Sequence, residues 1–188
     1  KKKIITAREY VPEQNFFGGF IYGGGTMAFT AGYWALGALK PDIIAYLGCD
    51  MIYPLEKEIP SHFYGNGQAD PLRSDITLQS LEAKSVRLMA LAQIHNCSVV
   101  NLSKLPKSRL LFPRTSITKL LKKIDQKKSL YSQDLKLDSK SVKRALDLEG
   151  ELAYMVPSGK YWESSVEFDR SKLSEIDSLW LKSASKLN

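Results

Sequence analysis

The chain has 188 residues, of which 44% are hydrophobic and 25% are charged, and its formal net charge is +7. This size and composition are typical of one folded domain with a substantial core. They exclude a membrane-spanning helix, because no run reaches the roughly 18 apolar residues that a span needs. They also exclude a disulfide scaffold, because Cys49 and Cys97 are the only cysteines, and we expect both to be buried free thiols.

The N-terminal stretch KKKIITAREYVPEQ contains no apolar segment of signal-peptide length. We therefore expect a cytoplasmic protein, with peripheral attachment to the inner membrane as one option. The first residue is Lys1 and not Met, so the sequence leaves open that only the C-terminal half of a larger domain is present.

The positive charge is concentrated in one segment. Residues 1–103 hold equal numbers of basic and acidic side chains, whereas residues 104–144 hold thirteen basic and three acidic ones. A surplus of this kind favours a polyanion, an anionic membrane surface or a phosphorylated ligand, and we place this contact at residues 104–128. The alternative is a solvated helix face. Nucleic acid is the less favoured partner, because aromatic residues are not regularly interleaved with the basic ones.

The first half of the chain alternates between helix and strand patterns. KKIITAR favours a short strand, and residues 26–39 favour a buried helix that follows a glycine turn. The continuously apolar DIIAYLG is typical of a parallel strand covered on both faces. Residues 74–96 predict a helix capped by Asp75 or Thr77 and closed by Asn96, and CSVVNLS predicts a second parallel strand.

This alternation predicts an α/β fold with a Rossmann-like, mainly parallel sheet. Residues 116–128, 138–155 and 171–186 have helical patterns, and we expect them to form a helical cap that packs against the sheet. The predicted organisation is an α/β domain over residues 1–112 and a helical extension of the same domain over residues 113–188.

Polar residues follow both predicted parallel strands. Asp50 comes just after the first strand, and Asn101 and Ser103 come at the end of the second. Folds of this class bind ligands at the carboxyl ends of their strands, so we expect these residues to share one ligand site. Asp50 could bind a ribose, hold a metal ion or act as a base; alternatively, it caps backbone amides of its own loop.

The loop that follows Asp50 is rich in chemically active side chains. It carries His62, which suits acid–base work near neutral pH, and the aromatic Tyr53 and Tyr64, which could stack on a base or donate hydrogen bonds. Arg73 lies at its end. Ordinary loop packing is the alternative for the aromatics. The spacing of the acidic and histidine side chains fits no standard metal signature, so we expect no metal site.

Three consecutive glycines, residues 23–25, precede the first predicted helix. Glycine lets a backbone approach a ligand closely, and a helix N-terminus offers free amide donors to a phosphate. The motif is neither a Walker A loop nor G-x-G-x-x-G. A tight turn and a phosphate cradle therefore both remain open.

The run from GGGTMAFTAGYWALGALKPDIIAYLGCDMIY through SHFYGNGQAD to SVVNLS resembles the bacterial sialyltransferases that modify lipooligosaccharide, together with related proteins that share their Rossmann-like core. The resemblance covers residues 22–105. It implies a glycosyltransferase that needs no cofactor and uses a nucleotide-sugar donor, a cytidine-monophosphate sugar, with a glycan acceptor. By position, the resemblance implies that Gly24, Gly25 and Thr26 approach the nucleotide, that Asp50 lines the donor pocket and that Tyr53 reaches the phosphate.

The sequence departs from the family pattern at the catalytic base. The family histidine falls on Asn66 here, and His62 lies four positions earlier. One interpretation gives the role of base to His62, with Tyr53 and Asp50 completing the catalytic group. Tyr64, Asn66, Arg73, Asn101 and Ser103 would then contact ligand. The other interpretation is a ligand-binding or interaction protein that keeps the fold without catalysis.

Overall fold

The computed structural model describes residues 4–52, 75–125 and 137–185. Its elements, in chain order, are α1 (Ala7–Phe16), α2 (Phe20–Gly23), α3 (Met27–Trp34, continued by a π-helical turn, Ala35–Leu39), β1 (Ile43–Tyr46), a 3-10 turn (Ile76–Leu78), α4 (Leu81–Ile94), β2 (Ser98–Asn101), α5 (Ile117–Asp125), α6 (Ser139–Leu152), a 3-10 turn (Tyr161–Glu163) and α7 (Arg170–Ser183). The protein is mixed α/β and predominantly helical.

The two predicted parallel strands are confirmed. β1 and β2 pair in parallel, with Ile43 opposite Ser98 and Tyr46 opposite Asn101. The last residue of β2 has a further partner, because an isolated parallel bridge joins Asn101 to Arg114. Because α4 connects the two strands, β1, α4 and β2 form a β-α-β unit.

Two expectations about the N-terminal half are wrong. Residues 4–6 of the predicted KKIITAR strand are irregular, and α1 follows directly. The backbone N–H of Thr6 donates to the Glu9 carboxylate at 2.8 Å, which is one half of a capping box and favours helix. β1 is also not covered on both faces, because Ala45 is exposed and Ile43 and Ile44 are only half-buried.

The helix α4 is the central element of the core. Nearly all of its side chains are buried, because one core cluster packs on its Leu88 and Met89 and a second packs on its Val86 and Ala90. Its N-cap is Ser80, whose hydroxyl accepts a hydrogen bond from the N–H of Ala83 at 3.1 Å. The predicted caps, Asp75 and Thr77, instead belong to the preceding 3-10 turn.

The three predicted C-terminal helices are confirmed as α5, α6 and α7. The last two pack chiefly against one another and α7 against α4, so the helical region reaches the strands mainly through α4. Leu173, Ile176 and Trp180 of α7 are completely buried in the second core cluster.

A network of buried charges joins α4 to these helices. Arg87 is 2% exposed and donates two hydrogen bonds to the Glu149 carboxylate, at 2.9 and 2.7 Å. It donates a third to the hydroxyl of Tyr33 at 2.8 Å. The indole N–H of Trp180 donates to the same carboxylate at 3.0 Å. Every partner lies in a different element, so the network fixes how α3, α4, α6 and α7 pack.

A second buried pair lies one helical turn earlier on α4. Lys84 Nζ donates to Asp177 Oδ1 at 3.0 Å, and both side chains are buried. The pKa of Asp177 is raised, because the effect of burial is larger than the opposing effect of the Lys84 charge. Both pairs connect α4 to the C-terminal helices and lie within the core.

Candidate functional site at the carboxyl edge of the sheet

The loops that follow β1 and β2 meet at the carboxyl edge of the sheet. The N–H of Leu102 donates to the carbonyl of Tyr46 at 2.8 Å and ends the regular pairing. Beyond it, the Ser103 hydroxyl donates to Asp50 Oδ2 at 2.6 Å. The N–H of Arg109 donates to the carbonyl of Asp50 at 2.9 Å. The two strand ends therefore form a single surface.

Asp50 is the least satisfied polar group of this edge. Asp50 is only 7% exposed, and its Oδ2 accepts the hydrogen bond from the Ser103 hydroxyl. Oδ1 is buried and has no hydrogen-bond partner in the parts of the chain that the structure describes. A buried carboxylate oxygen without a donor is costly, so this oxygen is suited to accept a hydroxyl or amide hydrogen from a ligand.

Asn101 and Ser103 shape the second loop. The Asn101 side chain accepts from the N–H of Ser103 at 2.8 Å and donates to the Ser108 hydroxyl at 3.1 Å. Asn101 is 2% exposed, and both of its polar groups are used within the loop. Ser103 is half-buried and holds Asp50 in place. Of the two, Ser103 is the one adjacent to the unpartnered oxygen of Asp50.

An ion pair that sequence reasoning missed ties this loop to α4. Arg109 donates to both carboxylate oxygens of Glu82, at 2.7 and 3.0 Å. Burial alone would raise the pKa of Glu82, but the hydrogen bonds and charge of Arg109 outweigh it and hold the pKa below its usual range. The two residues are 27 positions apart, and no motif relates them, so the sequence held no signal for the pair.

The glycine turn packs against the protein itself. Gly24 adopts a φ of 91°, which glycine tolerates best. A side chain at Gly24 would meet Phe29 and Lys84, and one at Gly25 would meet Thr77. The N–H of Gly25 already donates to the Thr77 hydroxyl at 3.0 Å. The close approach that these glycines allow is therefore made by side chains of the chain itself.

Thr26 follows the turn as the N-cap of α3. Its hydroxyl accepts a hydrogen bond from the N–H of Phe29 at 3.3 Å, as expected for a helix start. The hydroxyl of Tyr46, at the end of β1, donates to the carbonyl of Ala28 at 2.9 Å. The N-terminus of α3 thus lies beside the carboxyl end of β1, on the same side of the fold as Asp50.

The tight packing of the turn predicts that it tolerates no added methyl group. In Gly23→Ala, the new Cβ would lie 2.2 Å from Gln14 Nε2 and 2.9 Å from the Tyr33 ring. We expect the free energy of unfolding, measured by urea titration, to fall by about 1–3 kcal/mol.

Gly150→Ala is the matched control for this variant. Gly150 is exposed in α6, and a Cβ there would meet nothing within 4 Å. Removing a helical glycine stabilises by about 0.5–1 kcal/mol. If both variants changed stability by the same amount and sign, the packing of the turn would not be what requires glycine.

Five predicted site residues lie outside the described residues: Tyr53, His62, Tyr64, Asn66 and Arg73. Their roles stay predictions. In the described parts of the chain, no group of three or more His, Cys, Asp or Glu side chains is placed to hold a metal ion. Cys97 is buried as predicted, whereas Cys49 is partly exposed, and both are free thiols.

A groove on another face of the molecule was not predicted. It has a volume of about 970 Å³ and lies between the end of α4, β2, α5 and α6. Met89, Val99 and Leu146 form apolar parts of its wall, and Lys123 and Lys143 line it as well. Its lining includes Ser98, at the start of β2, which places part of it at the strand end opposite to Asp50.

Comparisons of the chain with protein-family models, with curated proteins and with solved structures return no match. Among the described residues, none of the helices combines the length and apolar character needed to cross a bilayer.

Proposed function

We propose that the chain is a sialyltransferase-like glycosyltransferase that binds a cytidine-monophosphate sugar at the carboxyl edge of a Rossmann-like sheet. The parallel β-α-β unit supports the fold assignment. The converging loops support the location, because open parallel sheets bind ligands outside the carboxyl ends of their strands.

The unpartnered oxygen of Asp50 is the observation that carries this proposal. Asp50 is 7% exposed and fixed from both sides, by the Ser103 hydroxyl on its side chain and by the Arg109 N–H on its backbone. A preorganised carboxylate with one free oxygen suits a ribose or sugar hydroxyl, since a hydrogen bond to a charged group contributes about 1.5–3 kcal/mol.

The loop between β1 and α4 supplies the chemistry of transfer. His62 removes the proton of an acceptor hydroxyl, whose oxygen then forms a bond to the anomeric carbon of the donor sugar. The bond from that carbon to the phosphate oxygen breaks, and cytidine monophosphate leaves. Tyr53, Tyr64 and Arg73 offset the negative charge on the departing phosphate.

A turnover assay tests this proposal. The protein is incubated with a cytidine-monophosphate sugar and a glycan acceptor, and release of cytidine monophosphate is followed. We expect release by the wild type and a loss of about 100-fold or more in His62→Ala, the range for a general base. Turnover unchanged by this substitution would remove His62 from the mechanism, and no release by the wild type would reject catalysis.

One observation favours the second candidate, a nucleotide-binding protein without catalysis. Asn66 stands where the family keeps its base, and Asn cannot accept a proton. Saturable nucleotide binding without any release of cytidine monophosphate would identify this second function.

A further inference from the structure

The helix α5 presents an apolar face to solvent. Ile117, Leu121 and Ile124 are 62%, 53% and 45% exposed. They are spaced at i, i+4 and i+7, which places them on one side of a helix. None of the residues of α5 is buried, so the helix contributes almost nothing to the core that the structure describes.

The opposite side of α5 is basic. Lys119, Lys122 and Lys123 are exposed and share the remaining helical positions with Thr118, Leu120 and Asp125; Leu120 is half-buried and lines the groove beside β2. A short helix that is apolar on one side and lysine-rich on the other has the pattern of helices that lie in the interface of a membrane. Lysine stems can follow the apolar boundary while their amino groups reach the headgroups.

The loop before α5 extends this surface. Leu105 is 56% exposed, and its carbonyl accepts a hydrogen bond from the Arg114 guanidinium, which holds it near the start of α5. Lys104 and Lys107 lie on the same loop and are exposed. Over residues 104–125 the chain has seven basic residues and one acidic residue.

We propose that α5 and the loop at residues 104–107 dock the protein on an anionic lipid surface, with Ile117, Leu121 and Ile124 inserted at the boundary between headgroups and acyl chains. The lysines favour a surface that carries lipid phosphates. The apolar face favours lipid over a soluble polyanion, because a soluble polyanion would leave Ile117, Leu121 and Ile124 exposed to water. This inference goes beyond the proposed transferase activity and does not depend on it.

Vesicle flotation tests the docking surface. The full chain is mixed with vesicles of phosphatidylcholine, or of phosphatidylcholine with phosphatidylglycerol. We expect binding to the anionic vesicles only, and weaker binding as salt is raised.

Two variants separate the apolar contribution from the charge. The apolar variant carries Ile117→Ser, Leu121→Ser and Ile124→Ser, and the charge variant carries Lys119→Gln, Lys122→Gln and Lys123→Gln. We expect each to lower the vesicle partition coefficient by at least about tenfold, since insertion and each lysine both contribute. The substituted side chains are not buried, so both variants should keep the wild-type circular dichroism spectrum.

Matched controls use exposed residues elsewhere. Lys140→Gln, Lys172→Gln and Lys182→Gln remove the same charge from α6 and α7, and Leu39→Ser with Val166→Ser removes exposed apolar groups. Neither control should change vesicle binding. The proposal is overturned if the wild type does not float with anionic vesicles, or if the controls lose as much binding as the α5 variants. The proposal is also overturned if only the charge variant loses vesicle binding and the wild type binds heparin as well as it binds anionic vesicles, because that result would identify a polyanion site.

Discussion

Glu149→Leu is expected to lower the free energy of unfolding by about 3–5 kcal/mol, the usual cost of removing one partner of a buried ion pair. The substitution leaves the guanidinium of Arg87, which is 2% exposed, without its carboxylate. It also leaves the indole N–H of Trp180 without an acceptor. Urea unfolding followed by circular dichroism measures the change.

An exposed pair on the same helix is the control for this experiment. Glu151 pairs with Arg144 at 3.0 Å, and both side chains are more than half exposed. Glu151→Leu should therefore change stability by less than about 1 kcal/mol. The double variant Arg87→Met and Glu149→Leu should recover part of the loss, because no lone charge stays buried. Equal losses in Glu149→Leu and Glu151→Leu would show that the buried network does not hold the helices together.

Asp50→Asn is expected to weaken nucleotide binding about 10–100-fold, which corresponds to the loss of a hydrogen bond to a charged group of about 1.5–3 kcal/mol. Asparagine has nearly the same shape, so the contact with Ser103 and the loop backbone can persist. The loss should therefore appear in affinity and not in stability.

Asp42→Asn is the matched control for Asp50. Asp42 is exposed and immediately precedes β1, at the opposite end of the strand that leads to Asp50. The substitution removes the same charge from the same protein and should leave nucleotide affinity unchanged. An equal loss in both variants would mean that net charge, and not the position of Asp50, controls binding.

The β-α-β unit could be predicted because its signals are local. Apolar runs marked β1 and β2, and helical spacing marked α4. Parallel strands bring their carboxyl ends to one edge, and this is why the proximity of Asp50 and Ser103 followed from the sequence. The sequence could not show whether β1 is covered on one face or on both, because a run such as IIAY has the same pattern in either case.

The buried charges could not be predicted from local pattern. Lys84 and Arg87 interrupt the apolar residues of α4 and would be assigned to a solvent-facing side of an isolated helix. Their partners lie 93 and 62 residues away, and only the packing of α6 and α7 on α4 brings them together. The start of α1 did have a local signal, because Thr6 and Glu9 have the spacing of a capping box.

The central claim is that the carboxyl edge of the sheet is a nucleotide site, and calorimetric titration of a cytidine-monophosphate sugar into the wild type and into Asp50→Asn tests it. We expect saturable binding to the wild type and binding about 10–100-fold weaker to the variant. No saturable binding to the wild type, or the same affinity in both proteins, would contradict the claim.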